Sequence, residues 1–147
     1  MRVIIQRSLQ SNVRVDNKIV GQIDKGLVLL VGFTAGDNVS IIDKMINKII
    51  NLRIFDDENG VTNKSLLEVG GSILSISQFT LYADISRGRR PSYIRAMGGS
   101  EASKLYEIFN NKLKEFVSVE TGIFGADMQV SINNNGPVTI IIESEDL

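Results

Sequence analysis

Residues 26–33 read Gly-Leu-Val-Leu-Leu-Val-Gly-Phe, a run without a polar side chain. A strand with one face in water alternates apolar and polar residues. A continuous apolar run of this length, flanked by glycine, is therefore a central strand covered on both faces. No other stretch limits the fold as much, because apolar layers must lie both above and below it. The rest of the chain offers them. Residues 2–7 alternate around Val3 and Ile5 and read as a first strand, and residues 11–16 and 18–23 read as a hairpin about Asp16-Asn17. A helix over residues 37–53 is capped by Asp37 or Asn38. It sets Ile42, Met45, Ile46, Ile49 and Ile50 on one face, with Asp43, Lys44, Asn47 and Lys48 between. A second helix, capped by Ser100, carries Ala102, Leu105, Tyr106, Phe109, Leu113 and Phe116 as a core stripe. The chain is an α/β domain, and with no linker or repeat to divide it, residues 1–147 form one unit.

What the chain lacks narrows its chemistry. It has no cysteine and no histidine, so no disulfide, thiolate, Ser-His-Asp or His-liganded metal site can be built from it. An enzyme made from it works with carboxylates, lysine, hydroxyls, backbone amides or groups on the substrate, and no cofactor or metal is expected. Asp56-Asp57-Glu58-Asn59-Gly60 has no later glutamate in calcium-loop register and reads as an exposed turn. No apolar run approaches the roughly 18 residues of a membrane span, so no membrane partner is expected and the cytoplasm is the expected location. A net charge of −1 excludes a globally basic nucleic-acid binder but leaves room for a local patch. Arg87-Gly88-Arg89-Arg90-Pro91 is the dense basic run, either a phosphate-binding loop or a solvated one.

Two further stretches carry more than packing. Residues 72–82 read as a strand with Ser77, Gln78 and Thr80 near its end, which suits either the edge of a pocket or a half-exposed strand. Residues 128–132 and 138–142 also read as strands, and Asn134-Asn135-Gly136-Pro137 lies between them. Proline cannot donate to a ladder, so this is either a turn into the last strand or a rigid corner whose carbonyls face a ligand.

Ser77-Gln78-Phe79-Thr80 and Asn134-x-Gly136-Pro137-Val138-Thr139 together resemble the paired signatures of the D-aminoacyl-tRNA deacylases, also called D-tyrosyl-tRNA deacylases. The resemblance extends through Ile5-Gln6-Arg7-Ser8, Arg53-Ile54-Phe55, Gly70-Gly71-Ser72, Arg87-Gly88-x-Arg90-Pro91-Ser92 and Thr121-Gly122-x-Phe124-Gly125-Ala126-Asp127-Met128. It spans essentially the whole chain and departs at no signature position.

The resemblance implies a homodimer of compact α/β subunits, each with a β-barrel-like sheet packed by two helices. It implies hydrolysis of the ester between a D-amino acid, or mischarged glycine, and the terminal adenosine of tRNA, with no DNA partner. The pocket is expected at the subunit interface. Ser77, Gln78, Phe79 and Thr80 would line it from one subunit, and a cis Gly136-Pro137 corner with Asn134 would enter from the other. Arg7 would hold that corner, Phe124 and Met128 would shape the adenosine end, and Arg87, Arg89 and Arg90 become candidates for tRNA phosphates. For the chemistry, backbone N–H groups near Phe79 and Thr80 would stabilise an oxyanion and the ribose 2′-hydroxyl would help activate water. Thr80 would orient the substrate, since no histidine can take its proton. An RNA-end binding module, a structural barrel protein and a small-molecule amidase are the competing classes.

Overall fold

The computed structural model describes residues 1–147. The apolar run forms strand β4 (Gly26–Gly32), in the middle of a five-stranded sheet. Its neighbours are β1 (Arg2–Ser8), antiparallel on one side, and β7 (Ser72–Ser77), parallel on the other. The edges are β10 (Asn134–Glu143), antiparallel to β1, and β8 (Val119–Thr121), parallel to β7. The β4–β7 crossover carries helix α1 (Val39–Asn51), the small hairpin β5 (Phe55–Asp56) and β6 (Thr62–Lys64), and the one-turn helix α2 (Leu66–Val69). The β7–β8 crossover carries helix α3 (Gly99–Leu113).

Both faces of β4 are covered. Leu27, Leu29 and Val31 join the larger core with α1 and α3, which includes Ile42, Met45, Ile46, Ile49, Phe109 and Leu113. Val28 faces the other way, onto Val13, Ile23, Leu74 and Ile76 beneath a second sheet. That sheet contains β2 (Ser11–Val15), β3 (Lys18–Ile23) and β9 (Gln129–Ser131), in the order β3-β2-β9. Asp16 and Asn17, at φ 49° and 62°, make the β2–β3 turn in the left-handed conformations that a tight hairpin requires. In α1, an isoleucine disfavours the helix by up to about 0.7 kcal/mol relative to alanine. Burying it contributes roughly 1.5–3 kcal/mol, so packing wins over propensity. The Asn38 side chain caps α1 by accepting from Ile41 N at 3.2 Å. The N-terminal ammonium is buried against Asp37 Oδ1 at 2.5 Å and donates to Ser144 Oγ at 2.8 Å, which fastens the start of β1 to both. No helix is long and apolar enough to cross a membrane.

Several expectations need correction. The sheets stack face to face and do not close into a barrel; β3 lies against β8 without a ladder joining them. Closure needs a continuous stagger of hydrogen bonds around the ring, and that ladder is missing here. Helix α2 is an unexpected third helix, held by a capping box between Ser65 and Glu68. Ser100 does not cap α3. Gly98 holds the N-cap position without a side-chain bond, and Ser100 lies inside the helix. Phe116 falls beyond the helix end and is half exposed. The strand expected over 72–82 stops at Ser77, and Phe79–Tyr82 form a 3-10 turn. The acidic segment 56–60, by contrast, is the largely exposed turn expected from the sequence, within the β5–β6 hairpin. Asp57 caps it by accepting from the N–H groups of Asn59 (2.9 Å) and Val61 (3.0 Å), and Glu58 pairs with Lys64. The Val61 bond, then that of Asn59, holds the Asp57 carboxyl below its usual range.

Candidate active site

β4 and β7 run parallel and end together, Val31 opposite Ser77. In open sheets with crossover helices, the carboxyl ends of parallel strands leave a crevice where ligands bind. Here a cleft of about 550 Å³ opens there, and Ser77, Gln78, Phe79, Phe124 and Met128 all line it. Its remaining wall brings in residues not anticipated from the sequence, among them Gly32, Phe33, Met97, Gly99 and Asp127. Asp127 is the only charged residue among them.

The turn after β7 is fixed from three sides. Gln78 N–H donates to Val31 O at 2.8 Å, continuing the β4–β7 ladder one residue past the strand. Gly32 lets the turn sit directly on β4, since a Cβ there would lie 3.0 Å from Gln78 O and 3.2 Å from Leu81 Cβ. Arg2 reaches across from β1, donating to Leu81 O and pairing with Glu143, with its guanidinium 5.0 Å from the centre of the Tyr82 ring. Burial, reinforced by Asp37, raises the Tyr82 phenol, so it stays neutral. No side chain caps the turn. The first N–H groups of such a turn have no acceptor within it, which leaves those of Phe79 and Thr80 free for a ligand. Thr80 is not a cleft-lining residue, and its Oγ1 accepts a 2.5 Å hydrogen bond from Gln78 Nε2. The exposed Phe79 ring packs edge-on against Tyr93, centroids 5.0 Å apart.

Gly136 and Pro137 lie elsewhere. The register between β1 and β10 runs from Gln6↔Thr139 to Ser8↔Asn134, so Arg7 alone faces residues 135–138. Of the two readings of this stretch, a turn between strands or a rigid corner, the turn gives way to an excursion inside the edge strand, and its Gly136–Pro137 peptide is cis. Asn134 Nδ2 clamps the base of the excursion, donating to Val138 O at 3.0 Å and to Arg7 O at 3.3 Å. Arg7, 8% exposed, braces it from behind with Nε on Asn135 O (3.1 Å) and Nη1 on Ile54 O (2.7 Å). Asp56 lies 3.4 Å from the same guanidinium. Hydrogen bonds from a charged donor contribute about 1.5–3 kcal/mol, so this corner is stiff.

The corner and the cleft are not brought together within one chain. Three strand spacings separate β10 from β7, and the corner lies at the level of Leu27 while the cleft begins at Val31. At about 4.8 Å per strand and 3.3 Å per residue, the two are roughly 20 Å apart. Arg87, Arg89 and Arg90 lie in a third place, an exposed loop pinched at its base by the Asp84–Ser92 pair of backbone bonds (2.8 and 2.9 Å). None of the three makes an ion pair.

The fold and the cleft define a single-domain α/β protein with free backbone donors and an apolar cleft at the carboxyl ends of a parallel strand pair. Comparison gives the family. The chain belongs to the D-Tyr-tRNA(Tyr) deacylase family, whose model matches residues 4–143. It is 54% identical to a D-aminoacyl-tRNA deacylase of Listeria innocua, covering 100% of this chain and 99% of that one. It is 55% identical to one of Clostridium tetani, covering 99% and 98%. Among solved structures, a c-Myc DNA unwinding element binding protein superimposes with a TM-score of 0.92 at 35% identity, covering 97% of this chain and 98% of the other. A probable eukaryotic D-amino acid tRNA deacylase shares the fold, with a TM-score of 0.82 at 17% identity, covering 96% and 97%.

Proposed function

We propose that this protein hydrolyses the ester joining a D-amino acid, or mischarged glycine, to the terminal adenosine of tRNA, releasing the amino acid and intact tRNA. The observation that carries this reading, beside family membership, is the pair of uncapped N–H groups at Phe79 and Thr80 on the rim of the cleft. An aminoacyl ester is already activated, so the enzyme needs mainly to place water and stabilise the tetrahedral oxyanion. One backbone donor aimed at that oxyanion is worth about 3–4 kcal/mol. The ribose 2′-hydroxyl of the substrate helps activate the water. Thr80 orients, because its oxygen is already engaged by Gln78 and no histidine can take its proton.

The site is completed by a second copy of the chain. The corner of one subunit enters the cleft of the other, with Gly136 and Pro137 against the substrate's chiral centre, Asn134 and Arg7 bracing them, and Phe124 and Met128 toward the adenosine. The separation of corner and cleft supports this, as does the free outer edge of β10, where Ile141 is 62% exposed. In this dimer the filter works by exclusion: it admits hydrogen but not an L side chain, so glycine passes. The partner is the 3′ end of charged tRNA, in the cytoplasm, and not duplex DNA.

The deciding assay uses D-Tyr-tRNA, L-Tyr-tRNA, D-tyrosine methyl ester and D-tyrosinamide side by side. Hydrolysis of the first alone is expected. Turnover of the amide would point to an amidase, and binding of tRNA without turnover to an RNA-end binding module. Neutralising Arg87, Arg89 and Arg90 together is expected to raise KM about tenfold at moderate salt, flatten its salt dependence and leave kcat within about twofold. An unchanged salt slope would return that loop to simple solvation.

A further inference from the structure

Beneath the cleft lies a buried polar node centred on Tyr106, which is 6% exposed and projects from α3. Its hydroxyl donates to Ser75 O at 2.8 Å, and the same carbonyl accepts the Gly122 N–H at 3.4 Å. Ser75 and Thr121 are the last paired residues of β7 and β8. Past that point the two strands part, one leading into Ser77-Gln78-Phe79 and the other into the loop that carries Phe124 and Met128. The Ser75 carbonyl is thus the fork from which two walls of the cleft diverge. The Tyr106 ring also lies 5.8 Å from that of Phe124, tilted by 44°. Burial raises the Tyr106 phenol, while the Ser75 side chain, Asn110 and the Ser77 backbone offset part of that rise. It therefore remains a neutral donor. Asn110, one turn further along α3 and 5% exposed, keeps its Oδ1 without a partner.

We propose that Tyr106 is a positioning residue for the cleft: its hydroxyl sets the Ser77–Phe79 wall and its ring seats the Phe124 wall. One buried side chain then fixes the distance between the oxyanion donors and the surface that receives the adenosine. This rests on the reading of the cleft as the acyl site. The hydroxyl acts on the chemical step through donor placement, while the ring acts on binding through Phe124.

Two substitutions separate these roles. Tyr106→Phe keeps the ring, so kcat on D-aminoacyl-tRNA should fall about tenfold with KM within about twofold. Tyr106→Leu removes both contacts, so KM should also rise, by about fivefold or more. A purely structural tyrosine would lower the melting temperature and the folded fraction but leave both constants unchanged per folded site. Amide hydrogen exchange gives a readout independent of activity. Tyr106→Phe should speed exchange at residues 77–79, Tyr106→Leu should speed it at residues 122–128 as well, and both should leave α1 unchanged. Wild-type kinetics in Tyr106→Phe, or unchanged exchange in both segments, would overturn the assignment. A wild-type protein inactive on D-aminoacyl-tRNA would instead refute the acyl-site reading, and the exchange measurement would still decide whether Tyr106 couples the two walls.

Discussion

Gly136→Ala is expected to lower D-aminoacyl-tRNA hydrolysis a hundredfold or more, about 2.7 kcal/mol at the transition state, while the subunits stay folded and assembled. Gly136 sits at φ +126°, where side chains are rarely tolerated. A Cβ there would lie 2.9 Å from Val138 Cγ2, 3.1 Å from Val138 N and 3.1 Å from Arg7 Nη2. Neither the backbone nor the braced guanidinium can yield cheaply, so the excursion must shift. Rejecting L substrates a thousandfold takes about 4 kcal/mol. Side chains differ among amino acids, so the discrimination has to act at the chiral centre they share, where a displacement of a few tenths of an ångström matters. The variant is therefore expected to lose D hydrolysis or to begin admitting L substrates. Mixing extends the test. If the site is shared between two copies, Gly136→Ala would damage what a chain lends its partner, whereas Ala126→Trp, which fills the cleft, would damage what it keeps. Randomly mixed, the two inactive proteins should recover roughly a quarter of wild-type activity, because each heterodimer has one intact site. No recovery from verified heterodimers would show that corner and cleft act within the same chain.

Replacing the terminal ribose 2′-hydroxyl by hydrogen, on a substrate esterified at the 3′ position, should slow hydrolysis a hundredfold or more. Thr80→Ala should slow it only about tenfold, and no acyl-enzyme should accumulate. General base assistance contributes typically 10²–10⁴-fold, and with no histidine in the chain the substrate is its best source. The Thr80 oxygen instead accepts from Gln78, and the chain has no histidine to take its proton. Single-turnover rates on the two substrates with both proteins give the comparison. The reverse order of effects would make Thr80 the nucleophile.

The central strand was legible because nothing polar interrupts residues 26–32, and only a sheet covered on both faces accepts such a run. Helix α1 was legible because its apolar spacing is strong enough to show through a β-branched composition. The early end of β7 was not. Residues 72–82 look like continuous strand, and what stops it is the side-by-side fit of Gly32 against the turn, a contact between segments far apart in sequence. Sequence favours Ser100 over Gly98 as the cap because a hydroxyl is the better cap in isolation, and the path of the chain overrides that preference. A signal for α2 was present in Ser65-x-x-Glu68, but a one-turn helix leaves too little periodicity to find first. At the candidate site, Ser77, Gln78, Phe79, Phe124 and Met128 line one cleft. Their gathering depends on the crossover, and no local pattern encodes that. Tyr106 looked like ordinary core because helical spacing reveals which face is buried, not what its hydroxyl touches.

The roughly 20 Å between corner and cleft has a consequence in time and concentration. A lone subunit would own two half-sites and no whole one, so its rate law would contain assembly. On dilution below the dissociation constant of the pair, specific activity should fall with the fraction assembled, as mass action requires. On the shared-site proposal, a single chain would carry a cleft open to either hand and no corner to filter it. Until it meets its twin it would be inert, and the chiral filter and the catalyst would arrive together.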